Sequence, residues 1–279
     1  MASLVLLNSL LAVFFASSTV SAQSCPCGYR DSSGHTWREA IVSTFTQDAG
    51  ALAAVDADWI IATDHEDQPT GTAAIQYVAA NVMEFQDALG LKASAYDGSG
   101  SVKSAEIFTQ RSDILYGSFR MQAQVPSVPG VVFGFFTYIT ETQEQDIEFL
   151  SSDVDYYQRL HYTNQPGQLQ NSDPDPDAAK DVVIPGADLL AVHVQWRTPT
   201  NHPSEQSTTI ITKNVPTTPS EFVLNVWSNG DANFSKGPPT ADAIATVHYV
   251  HLYFNSTTLS AATFASACSA AGNVAPCSI

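Results

Sequence analysis

Glu144, Asp146 and Glu148 occupy alternate positions in the stretch Glu144-Gln145-Asp146-Ile147-Glu148-Phe149. A β-strand has a period of two, so the three acids project from one face while Gln145, Ile147 and Phe149 project from the other. Neighbours two apart lie roughly 6 to 7 Å from each other, where like charges repel, and folding alone gains nothing from that repulsion. The wall of a cleft does gain from it, because crowded carboxyls push each other's pKa values apart and supply one acid and one base. The competing reading is that the acids are only the solvated face of a strand. Their surroundings decide between the two.

The acidic stretch follows the apolar run Val131 to Ile139, which a turn at Pro126 to Gly130 introduces. Downstream, Gln158 to Asn164 reads as another strand, with Arg159, His161 and Thr163 on one side and Leu160 and Tyr162 on the other. Its pattern leaves open which side faces a cleft. Further short strands are expected at Val82 to Ala95, Ser104 to Phe108, Leu115 to Val125, Leu189 to Trp196, Thr208 to Thr212, Phe222 to Trp227 and Thr246 to Phe254. Gly, Pro and Asn/Asp turns separate them, helical periodicity is hard to find, and no internal repeat is visible. That pattern predicts an all-β sandwich or barrel.

The E-x-D-x-E strand, with Gly134-Phe135-Phe136-Thr137-Tyr138 before it and Tyr162-Thr163-Asn164 after it, resembles the retaining glucanases of glycoside hydrolase family 16. So do the opening after Cys25, Tyr116-Gly117-Ser118-Phe119-Arg120, Val215 to Pro219 and Trp227-Ser228-Asn229-Gly230-Asp231, the opening being similar to secreted fungal members. The resemblance implies a two-sheet antiparallel β-sandwich, a concanavalin A-like jelly roll with a concave substrate cleft. It also implies Glu144 as nucleophile, Glu148 as general acid/base and Asp146 tuning both. Implied with it is a β-1,3- or β-1,3(1,4)-glucan substrate cleaved by double displacement, with no cofactor and no metal. Between Leu190 and Pro203 the chain departs from the family's usual strand and turn, and the connection is shorter; Gln145 stands where an apolar residue is common.

Sugar rings pack their C–H faces on aromatic side chains, so Tyr138, Tyr162 and Trp227 are expected in the cleft, with Asn225 beside Trp227 and His161 as a hydroxyl contact. Phe136 lies in a continuous apolar run and reads as core. Two alternatives stand beside hydrolysis: a transglycosylase that remodels cell-wall glucan, and a glucan-binding lectin, which has no need of a nucleophile.

The 279 residues provide for one ample domain. Leu4 to Phe15 is apolar and followed by small residues up to Ala22, the pattern of a signal peptide at 1–22, although no Lys or Arg precedes the apolar run. The sandwich is expected at 23–255 and a low-complexity tail tied by cysteine at 256–279. Cys25 and Cys27 lie at one end of the mature chain, Cys268 and Cys277 at the other. A Cys25–Cys27 ring would be very tight, so one or both should cross to the C-terminal pair in an oxidising compartment; zinc ligation has little support. A formal charge of −17, from 28 acidic and 11 basic residues, argues against nucleic acid or an anionic membrane as partner. A secreted monomer acting on a neutral polysaccharide is expected. Asn233 and Asn255 begin glycosylation sequons. The acidic groups at Asp64 to Asp67 and Asp173 to Asp177 read as solvated loops rather than cation sites.

Overall fold

The computed structural model describes residues 25–46, 50–155, 158–170, 173–183, the backbone of 192–196, and 211–279. The expected leader at 1–22 and residues 197–210 of the shortened region 197–214 lie outside the described residues. Two curled sheets pack face to face in a jelly roll. The larger, nine-stranded among the described residues, runs in the order Ala179–Val183, Arg159–Asn164, Gln143–Leu150, Val132–Thr140, Glu221–Trp227, Val102–Thr109, Ile75–Tyr77 and His65–Glu66, with Trp59–Ile61 also pairing with Val102–Thr109. The second runs Val192–Trp196, Tyr116–Gln124, Ala243–Asn255, Ala88–Ala93 and Val82–Phe85, with Glu39–Thr44 pairing along Ala243–Asn255.

Strict alternation builds the core between them. Phe133, Phe135, Ile147, Phe149, Phe222, Leu224 and Val226 of the larger sheet meet Leu89, Leu91, Phe119, Met121, Val250, Leu252 and Phe254 of the other, all buried. Phe222 lies 4.5 Å from Phe135 and 5.1 Å from Phe119, centroid to centroid, so one ring bridges neighbouring strands and both sheets. Burying each such side chain contributes about 1.5–3 kcal/mol. The sheet is therefore anchored through one face and free to carry a costly arrangement on the other.

Three sequence expectations change. Val82 to Ala95 is a hairpin rather than one strand: Gln86 and Asp87 take φ of 49° and 59°, a tight left-handed turn between Val82–Phe85 and Ala88–Ala93. Helix α1, Ala51–Asp58, forms in a chain where helical periodicity is hard to find. The small-residue tail contains helix α2, Ala261–Ala270, whose alanines favour helix and whose N-cap Ser260 accepts a hydrogen bond from the Thr263 N–H at 3.1 Å. Both N-terminal cysteines cross to the C-terminal pair, as Cys25–Cys277 and Cys27–Cys268. Beside them Cys277–Ser278 pairs with Tyr29–Arg30 in a small third sheet.

Candidate active site

Opposite residues of antiparallel strands share a face, so the register turns each acid of Gln143–Leu150 into the centre of a row across the open face of the larger sheet. The Glu148 row reads Glu106, Asn225, Gly134, Glu148, His161, Asp181. The Asp146 row reads Phe108, Val223, Phe136, Asp146, Thr163, Ala179. The Glu144 row reads Glu221, Tyr138, Glu144, beyond which the Gln165 N–H donates to the Glu144 carbonyl at 3.1 Å.

The three acids are not solvated. Asp146 is only 4% exposed, and Glu144 and Glu148 are half-buried. Among the described residues no Lys, Arg or His pairs with any of them. Burial therefore pushes Glu144 up to about 9, with the charge of Asp146 and a hydrogen bond shared with it adding to the rise. Burial also raises Asp146 and Glu148, each against the charge of a neighbouring acid. Three such groups titrate as a unit, and burial favours their protonated forms. Among the described residues Asp146 has one hydrogen-bond partner from outside the trio, the Gln165 amide, whose Nε2 donates to Oδ2 at 2.8 Å.

The register sorts the expected sugar contacts. Tyr138 stands beside Glu144 on the open face, its hydroxyl donating to Glu141 Oε1 at 3.2 Å. Asn225 is 5% exposed; its Nδ2 donates to Glu106 Oε2 at 3.1 Å, while its buried Oδ1 has no partner among the described residues. Gly134 makes room for that oxygen, since a Cβ there would lie 2.6 Å from it. Trp227, also on this face, packs with Phe108 against Tyr77 and Ile75 and stacks on Phe234 at 6.1 Å. The turn that follows holds Phe234 in place: Asp231 Oδ1 accepts from the Asn233 and Phe234 N–H groups.

Three assignments are corrected. Tyr162 pairs with Ile147, not with an acid, and packs against the core, where burial pushes its phenol up to about 12; it does not line the cleft. His161 does stand beside Glu148, but Asp153 and Asp181 engage its two ring nitrogens, each at 2.8 Å, so it borders the site within a charged network instead of offering a nitrogen to a sugar. Phe136, read as core, is half-buried on the open face opposite Asp146. Gln145 meets its polar need by donating to Asn164 Oδ1 at 2.9 Å. Glu106 was not legible at all. Its carboxyl is pushed up to about 7, chiefly by burial, and it shares hydrogen bonds with Asn225 and Tyr77. Only the long-range pairing of Val102–Thr109 with Glu221–Trp227 brings it here. Among the described residues no cluster of His, Cys, Asp and Glu is arranged to hold a metal ion.

Residues 70–182 match the family Glycosyl hydrolases family 16. The chain is 28% identical over 148 residues to a beta-glucanase of Paenibacillus macerans, covering 50% of this chain and 58% of that one. It is 29% identical over 119 residues to a beta-glucanase of Bacillus subtilis (strain 168), covering 40% and 47%. The chain thus spans less than two thirds of either relative. Among solved structures, the Bacillus licheniformis beta-glucanase superposes with a TM-score of 0.54 at 19% identity, covering 70% of this chain and 92% of that one. SCLam, a non-specific endo-beta-1,3(4)-glucanase, superposes with a TM-score of 0.52 at 16% identity, covering 77% and 89%. At these identities the superpositions speak for the jelly roll.

Proposed function

We propose that this chain of glycosyl hydrolase family 16 is a retaining endo-glycosidase that cleaves β-1,3- or β-1,3(1,4)-glucan. One observation carries the reading: three carboxyls share one face of a buried strand, all raised in pKa, with no cation among the described residues to neutralise them. Such an arrangement costs stability and suits proton transfer. The beta-glucanase relatives support the substrate class.

In this reading the Glu144 carboxylate attacks the anomeric carbon as the bond to the leaving oxygen breaks, and that oxygen takes the Glu148 proton. A glycosyl-enzyme ester results. Glu148, now a carboxylate, removes a proton from water, whose oxygen attacks the same carbon and releases Glu144. The proton that the Glu144–Asp146 pair holds at rest lies in their shared hydrogen bond and passes to Asp146 when Glu144 attacks. A retaining pair needs its carboxyls roughly 5 Å apart; alternation on a curled strand with inward-leaning side chains suits that approach. Tyr138, Phe136 and Trp227 offer aromatic faces to the glucan, and Asn225 holds Glu106 beneath them.

The protein acts as a secreted monomer in this proposal, outside the cell or in the wall. The apolar leader pattern and the two disulfides support export. Among the described residues no helix is long and apolar enough to cross a membrane. The test incubates the protein with laminarin and with mixed-linkage barley glucan beside Glu144→Gln, following product masses and, by NMR, the anomer released first. Shorter β-anomeric products from the wild type alone are expected. Products longer than an oligosaccharide substrate would show transglycosylation; binding of both glucans without turnover would overturn hydrolysis in favour of a lectin.

A further inference from the structure

Gln165 follows strand Arg159–Asn164 and is held in one orientation by three contacts. Its backbone N–H extends the ladder to the Glu144 carbonyl at 3.1 Å, which sets the side chain beside Asp146. Its Oε1 accepts the Gly167 N–H at 2.9 Å, which fixes the amide so that its NH2 faces Asp146 Oδ2 at 2.8 Å. The supports are fixed in turn: Asn164 accepts from Gln145 and donates to the Lys213 carbonyl, each at 2.9 Å, and the Gly167 carbonyl accepts from the Asp175 N–H at 2.9 Å. Gly167 itself packs so closely that a Cβ would lie 2.4 Å from Thr163.

Among the described residues, the other polar groups around Asp146 are acids or weak dipoles. Glu144 and Glu148 share its strand, Phe136 lies opposite on the hairpin partner, Glu141 acts on it from the turn, and Thr163 lies opposite on the outer side, where His161 is already engaged by Asp153 and Asp181. An amide NH2 donates only, and so favours a charged carboxylate at the receiving oxygen.

We propose that Gln165 is a positioning residue: its amide keeps Asp146 turned toward Glu144 and stabilises the single negative charge the Glu144–Asp146 pair carries, leaving Glu148 its own proton for the leaving group. This rests on Glu144 as nucleophile and Glu148 as acid. With two acids sharing one proton, the pair is competent once its first proton has left, and that ionisation forms the acidic limb of the kcat/KM profile. Gln165 holds the limb at lower pH.

The experiment compares Gln165→Leu and Gln165→Glu with the wild type in pH profiles of glucan hydrolysis, with melting temperatures and carboxyl carbon NMR titrations on the same proteins. In Gln165→Leu, which keeps the backbone N–H, the acidic limb and the first pKa of the pair should rise by about one unit, a roughly tenfold loss below the limb that recovers above it. Gln165→Glu should lose activity progressively as pH rises, when a fourth carboxylate faces Asp146. A Gln165→Leu protein with the wild-type limb and titration, or one whose loss is equal at every pH and tracks its melting temperature, overturns the proposal. The NMR titration reads the pair without turnover, so absent hydrolysis in the wild type would strike the functional reading and leave this test standing.

Discussion

Two clusters of carboxylates in this molecule follow opposite electrostatics. Near the junction of the chain ends, Arg111 forks onto Asp113 through Nε and Nη2, each at 2.8 Å, and reaches Glu39 through Nη1 at 2.8 Å, while Ser256 and Thr258 donate to the same acids. Asp113 is pushed down to about 2, chiefly by its hydrogen bonds with Arg111. At Glu144, Asp146 and Glu148 the acids are as crowded, no cation pairs with them among the described residues, and all are pushed up. Acids gathered to hold a structure arrive with their counter-charge. Acids gathered without one are kept for something other than stability.

The largest test of that contrast removes one acid from each site. Glu148→Gln should lose on the order of 10³-fold in glucan hydrolysis, the scale of a lost general acid, while melting at or above the wild-type temperature. An equal loss of activity and stability would erase the distinction between the clusters. Arg111→Met is the mirror experiment. It leaves Glu39 and Asp113 facing each other without their cation and removes the cation–π contact on Phe254, at 4.9 Å. A loss of about 2 kcal/mol is expected after allowance for partial exposure, read by denaturant unfolding, with kcat unchanged.

Next in size is the opposite response to pH. Asp113 has a folded pKa below its ordinary 3.8, so the stability it contributes is present above 3.8 and lost as pH falls through about 2. Glu144 has a folded pKa of about 9 against an ordinary 4.5, so the folded state binds its proton more tightly than the unfolded chain does. Its contribution therefore declines from pH 4.5 upward and reaches its most unfavourable level above 9. Glu144→Gln should accordingly gain stability over the wild type between pH 5 and pH 8, by on the order of 1–3 kcal/mol. Unfolding free energies at the two pH values check it, and a gap that does not widen would mean that Glu144 is not protonated at rest.

How much of this was legible in the sequence depended on how far each contact reaches along the chain. The acidic strand needed only its own alternation, and the crossing of the cysteines only the strain of a Cys25–Cys27 ring. Phe136 misled because its run, Val131 to Ile139, is apolar at nearly every position: a continuous run gives no parity, and only its pairing with Asp146 reveals that every second residue faces out. Glu106 and Gln165 carried no signal because strand pairing, not spacing, brings them to the acids. The Ala-rich tail hid a helix because small residues leave no amphipathic stripe, and none of the α2 side chains is buried.

Tyr162 gives the smallest expected effect. Arg159–Asn164 alternates polar and apolar residues, and its sequence alone did not tell which set faces the acids; the pairing of Ile147 with Tyr162 and of Glu148 with His161 assigns Tyr162 to the core side. A hydroxyl on that side cannot reach a sugar on the other without a one-residue slip of register, which would also turn His161 inward and pull its ring from Asp153 and Asp181. Tyr162→Phe should therefore keep kcat and KM for glucan within about twofold and change stability by less than about 1 kcal/mol. A tenfold rise in KM with stability intact would mean that the ring meets substrate, and the register of this strand against Gln143–Leu150 would have to shift by one.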